Sequence, residues 1–126
     1  MATLTLLIRR SPYIGHGHQT ALAFASAALD AGHAIKRVFF YQDAVLAAMQ
    51  QQPPQGQAAI SQQWQSLAAR GVTLQVCIAN ALRRGVVDER EAQRYDCQAT
   101  LAPDFVLAGL GEMASASEDS DRIVEF

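Results

Sequence analysis

The chain has 126 residues, half of them hydrophobic and 17% charged, a balance that suits a single core and excludes disorder over most of the length. Its formal net charge of -2 gives no cationic field of the kind that draws a protein onto nucleic acid, so direct RNA or DNA binding is not expected. No apolar stretch approaches the length needed to cross a bilayer, so no membrane role is expected either.

The first apolar run, Thr3 to Ile8, lacks a preceding basic segment and meets Arg9 too early for a signal sequence; it reads as a first strand, closed by the turn-forming stretch Arg10 to Gly17. A helix is predicted from about His18 to Ala31. Leu22, Ala25 and Leu29 fall on one face with Phe24 and Ala28 beside it, and Gly32 stands where a left-handed cap belongs. Ala34 to Tyr41 is dense in β-branched and aromatic residues and predicts a strand buried on both faces. Asp43 is placed to cap a short helix over Ala44 to Met49, after which Gln50 to Gly56 breaks regular structure.

Gln57 to Arg70 repeats the helical period, with Ile60, Trp64 and Leu67 aligned and Gly71 as the stop. The third apolar run begins at Val72 and ends in Cys77 and Ile78. Ala79 to Leu82 suits a helical turn, and Arg83, Arg84 and Gly85 form a turn near Cys77. Asp88 and Glu91 have the spacing of a capping box, which predicts a helix to about Tyr95. Phe105 to Leu107 reads as a short strand, Gly109 to Ser117 as a small-residue helix and Arg122 to Phe126 as a final strand. This alternation gives an α/β three-layer sandwich around a mainly parallel sheet of about five strands, all in one domain spanning 1–126.

Cys77 is the first candidate for chemistry, because in an open α/β sheet ligands and reactive groups collect at the carboxyl ends of the strands. The competing reading is packing, since free cysteine is among the most buried residue types. A helical turn after Cys77, with Arg83 and Arg84 near it, favours thiolate, the form that attacks sulfur. Such a thiol is expected to be accessible. Cys97, beside Asp96 in a polar stretch, reads as incidental; a resolving role requires a spatial approach to Cys77 that spacing does not establish. Two cysteines outside any Cys-x-x-Cys motif suit a reducing cytoplasm.

Other constellations are weaker. Gly15 to Thr20 lies between the first strand and helix, the place of a dinucleotide fingerprint, but Thr20 stands where that pattern requires a small residue. Asp43 mimics a ribose-binding acid and reads equally well as a helix cap. His16 and His18 lack further nearby His or Cys ligands, so no metal is expected, and His33 reads as helix-end decoration. No serine has a nucleophile-elbow context.

At Phe39-Phe40-Tyr41, Val76-Cys77-Ile78-Ala79, Ala81 to Glu89, Gly109-Leu110-Gly111 and Asp121 to Val124 the chain resembles the TusD/DsrE family of sulfur-relay proteins, nearly end to end. The segment from Val76 to Glu91 is the most specific part. The resemblance implies a persulfide-relay sulfurtransferase without a cofactor, with Cys77 accepting sulfane sulfur and passing it on. Arg83 and Arg84 then serve as electrostatic or docking support. In the TusD branch it implies TusB-like and TusC-like partner subunits, a TusA-like donor and a TusE-like acceptor, in 2-thiolation of the tRNA wobble uridine. The DsrE branch implies dissimilatory sulfur oxidation instead. A noncatalytic nucleotide-binding or assembly module, and a structural subunit whose partner carries the sulfur, are the remaining readings.

Overall fold

The computed structural model describes residues 1–53 and 55–126, so Pro54, part of the expected break, lies outside the described residues. Five strands, β1 (Thr3–Ile8), β2 (Ala34–Phe40), β3 (Thr73–Cys77), β4 (Phe105–Ala108) and β5 (Arg122–Glu125), form an all-parallel sheet in the order β4, β3, β2, β1, β5. Strands β1 to β4 are laid out consecutively. Their right-handed crossovers therefore lie on one face, and the return from β4 to β5 crosses the other. On the first face lie α1 (Gly17–Asp30), a 3₁₀ segment (Gln42–Ala48), α2 (Ile60–Ala68), α3 (Ile78–Arg83) and α4 (Glu89–Tyr95). The return carries only α5 (Leu110–Ala114) and α6 (Ala116–Asp119).

The expected α/β architecture is thus present, with local differences. Along α1 the buried stripe is His18, Ala21, Ala25 and Ala28, while Leu22, Phe24 and Leu29 pack at its margins. Small side chains let the helix approach the sheet closely, and the larger ones fill the flanks. Gly32 and Gly71, after α1 and α2, both sit at φ +90, a conformation that other residues rarely adopt. The helix expected over Gln57 to Arg70 begins only at Ile60, because Ala59 is still extended at ψ 152 and caps it. The return helix is interrupted at Ser115, whose hydroxyl donates to the Gly111 carbonyl. At α4 half of the capping box forms: Asp88 accepts from the Glu91 amide at 2.9 Å, but Glu91 Oε2 is buried without a hydrogen-bond partner.

Asp43 is no helix cap. Tyr41 occupies that position, and Asp43 lies inside the 3₁₀ segment with its carboxylate turned to Arg84. That segment follows β2 with no connecting residue beyond Tyr41, and Met49 then bridges antiparallel to Leu101.

The first face holds an aromatic cluster of Phe40, Trp64, Phe105 and His18, with Phe40 and Trp64 centroids 5.0 Å apart edge to face. His18 is 1% exposed and uses both ring nitrogens: Nδ1 accepts from Trp64 Nε1 at 3.1 Å, and Nε2–H donates to the Arg10 carbonyl at 2.7 Å. This fixes the neutral tautomer and ties the chain after β1 to α1 and α2. The second face is more polar. Arg37, buried on β2, forms a bidentate pair with Asp119 and donates to Thr5, and these bonds hold the Asp119 carboxyl well below the usual carboxylate range, with Lys36 adding to the effect.

His18 generates a pH prediction. Burial pushes its pKa below the ordinary 6.5, so on acidification the unfolded chain takes up the proton first. Stability should therefore fall as the pH drops through 6.5 and level off below the folded value, and urea unfolding of His18→Phe should lose that part of the slope. Trp64→Phe keeps the ring but leaves His18 Nδ1 unpaired, and should cost about 1–3 kcal/mol in the same measurement at neutral pH.

Candidate active site

β3 lies between β2 and β4 with Leu74 and Val76 fully buried, which fixes the height at which it leaves the sheet. It leaves without a loop: Cys77 is both the last residue of β3 and the N-cap of α3, and Ile78 is already helical. Ala81, fully buried, anchors α3, and Gly85 at φ +76 ends it. Because β2 and β3 are neighbours, the 3₁₀ segment after β2 packs against α3, bringing Asp43 to the same edge as Cys77.

The structure corrects the expectation of an accessible thiol. Cys77 stands at the sheet rim, as expected, but is only 2% exposed. The absence of a loop explains this: α3 packs back against the 3₁₀ segment, and Asn80 returns to the sulfur, its Nδ2 donating to Sγ at 3.1 Å. Asn80 was not singled out by the sequence, although its three-residue separation from Cys77 and four from Arg84 is helical spacing along one face.

Arg84 is the C-cap of α3 and half-buried. Its Nη1 donates to Asn80 Oδ1 at 3.2 Å and to the Asn80 carbonyl at 3.1 Å, while Nε donates to Asp43 Oδ1 at 2.8 Å. Arg83, by contrast, is exposed in the last turn of α3, where its positive charge complements the helix end, and forms no ion pair among the described residues. The two arginines therefore have different surroundings, and only Arg84 joins the chain of bonds leading to Cys77.

The other candidates lie apart. Cys97 is exposed after α4, and both cysteines are free. His18 is a core residue while His16 is exposed, so the two do not act as a metal pair, and no group of three or more His, Cys, Asp or Glu suited to a metal occurs among the described residues. His33 follows the end of α1, and its Nδ1 accepts from the Ala2 amide at 2.9 Å. His16, Gly17 and Thr20 line an open cleft of 670 Å³ at the carboxyl ends of β1 and β5, together with Arg9, Arg10 and Glu125. A second cleft of 510 Å³ lies between Arg9, Arg10 and the Asp43–Arg84 pair.

The DsrE/DsrF-like family model matches residues 2–126. The chain is a member of the DsrE/DsrF-like family. It is 42% identical to a protein of Vibrio cholerae named "Sulfurtransferase TusD homolog", over 98% of this chain and 97% of that protein. It is 41% identical to "Sulfurtransferase TusD" of Yersinia pestis, over 96% and 95% respectively. The fold is also that of the crystal structure of the ychN protein from E. coli, with a TM-score of 0.81 over the whole of both chains at 20% identity. This DsrE/DsrF-like sheet thus carries a buried thiol at one rim and an exposed thiol elsewhere.

Their reactivity should separate accordingly. Brief treatment of the native protein with an alkylating reagent, followed by peptide mass analysis, should modify Cys97 at least about tenfold faster than Cys77, a difference that urea abolishes. Equal native rates would contradict the burial of Cys77.

Proposed function

We propose that this DsrE/DsrF-like chain is a sulfurtransferase subunit that accepts sulfane sulfur on Cys77 and passes it to an acceptor protein. The observation that carries the reading is near-full-length identity of 41–43% with proteins named TusD sulfurtransferase, in a chain whose Cys77 ends a central strand at the carboxyl edge of the sheet. The Cys77 thiolate attacks the outer sulfur of a donor persulfide. A sulfur–sulfur bond forms to Sγ, the donor's own sulfur–sulfur bond breaks, and the donor leaves as thiolate. An acceptor thiolate then attacks the outer sulfur now held on Cys77, which regenerates the Cys77 thiolate. Each exchange conserves electrons, so this reading requires no redox group.

The relatives' names favour the TusD branch, with sulfur bound for 2-thiolation of the wobble uridine of tRNA in the cytoplasm. The partners in this reading are TusB-like and TusC-like subunits, a TusA-like donor and a TusE-like acceptor. A multi-subunit setting suits the second face of the sheet, where only α5 and α6 lie over the strands and Val106 and Ile123 remain 50% and 43% exposed. No helix among the described residues is long and apolar enough to cross a membrane.

Burial adds one step to the mechanism. With Cys77 2% exposed at the start of α3, a donor reaches Sγ only after local opening of the cover over it. Arg83 is exposed to a visiting protein at the end of the same helix.

The test uses a Cys97→Ser background, so that the exposed thiol does not load in place of the buried one. After incubation with a persulfide donor, intact mass should rise by one sulfur atom, reversibly with reductant, and the further change Cys77→Ser should abolish the gain. Equal loading of the protein lacking Cys77 would overturn the assignment.

A further inference from the structure

We propose that Asn80 is a catalytic residue that stabilises the Cys77 thiolate, and that Arg84 and Asp43 are positioning residues holding Asn80 in the orientation this requires. The proposal rests on the sulfur-relay reading for its purpose, but its evidence is the geometry around Sγ.

A side-chain amide has a donor end and an acceptor end of nearly the same shape, and its hydrogen-bonded neighbours decide which end faces where. Here the choice is forced from one side. The Arg84 guanidinium has only donors, so the amide end that meets Nη1 at 3.2 Å is the oxygen. The Asn80 NH₂ then faces Cys77 Sγ at 3.1 Å. Reversal would set one N–H against another at Arg84 and turn a carbonyl oxygen toward sulfur.

Arg84 is itself fixed at three points. Its Nε is bound to Asp43 at 2.8 Å, and Nη1 takes both the side-chain and the main-chain oxygen of Asn80, across one turn of α3. Asp43 comes from the neighbouring strand exit, so the series Asp43, Arg84, Asn80, Cys77 joins two segments at the carboxyl edge of the sheet. Long polar side chains otherwise sample many rotamers; three bonds, one of them to the main-chain oxygen of Asn80, restrict that freedom.

The consequence for chemistry follows from charge. A neutral thiol is a weak acceptor, whereas a thiolate accepts strongly, so an N–H held against Sγ favours the ionised form. In the relay, Cys77 is a thiolate twice, as the attacking group when it receives sulfur and as the leaving group when it gives sulfur up, and the same N–H serves both steps.

Thiolate absorbance in the ultraviolet reads ionisation without requiring a reagent to enter. It would be followed against pH in the Cys97→Ser protein, with the protein lacking both cysteines as baseline. Relative to that background, Asn80→Ala should displace the Cys77 transition upward by about one pH unit, a tenfold smaller thiolate fraction below the midpoint. Asn80→Asp, of equal size but presenting oxygen and negative charge, should displace it further. Arg84→Met and Asp43→Asn should each give a smaller displacement of the same sign. A merely structural role would alter unfolding midpoints but leave the transition in place, and an unmoved transition in both folded Asn80 variants would overturn the proposal. Failure of sulfur loading with the displacements intact would defeat the relay reading alone; normal loading with an unmoved transition would defeat the role of Asn80 alone.

Discussion

The candidate site depends on the strand-to-helix junction at Cys77 and Ile78, where β3 becomes α3 without an intervening residue. A loop at this point would let the thiol swing into solvent. Its absence fixes the Cys77 backbone between a central strand on one side and a helix anchored by Ala81 on the other. Burial, the approach of Asn80 and the return of Arg84 all follow from that geometry. The order of the strands completes it, because β2 and β3 are neighbours and their exits bring Asp43 within reach of Arg84.

The two faces of the sheet solve different problems. On the face of α1 and α2, an apolar and aromatic core is pinned by one neutral histidine, whose bonds to Trp64 and to the Arg10 carbonyl leave no ring nitrogen unsatisfied. On the face of α5 and α6, ion pairing takes over: Arg37 and Asp119 tie the short return segment to β2, and Thr5 and Ser120 share a hydrogen bond beside them. Arg37 Nε and Gln75 Oε1 on this side are buried without hydrogen-bond partners. This face therefore relies on directional polar contacts where the other relies on packing.

The strands were legible because β-branched and aromatic runs end at turn residues: Thr3–Ile8 is a strand over the same residues that the pattern marks, and the other strands shift by a single residue where their ends move. Helix existence was equally plain, but helix faces were not. Ranking residues by hydrophobicity selects Leu22 and Leu29 on α1, whereas the distance between helix and sheet selects alanine and His18. His18 misled for a further reason. It stands at the very start of the predicted helix, and its partner Trp64 is 46 positions away, so nothing near it in sequence marks it as a core residue. At the site, Cys77 was visible from its position at a strand end, but its exposure was not, because that depends on whether a loop follows. Asn80 and the turning of Asp43 away from a capping role are settled only by side-chain geometry between neighbouring strand exits.

The arginines at this edge show why sequence proximity is a poor guide to electrostatic role. Arg9 pairs with Glu125 at 3.2 Å and donates to Gln42, and Arg84 pairs with Asp43, so both charges are compensated within the chain. A compensated charge has little reach through salt solution, and a role in attracting a distant partner falls to uncompensated ones. Arg83 is such a charge, at the exposed end of α3. The neighbouring pair thus divides the work: Arg83 presents charge to the surroundings, and Arg84, its own charge spent on Asp43, contributes geometry by holding an amide against a sulfur atom.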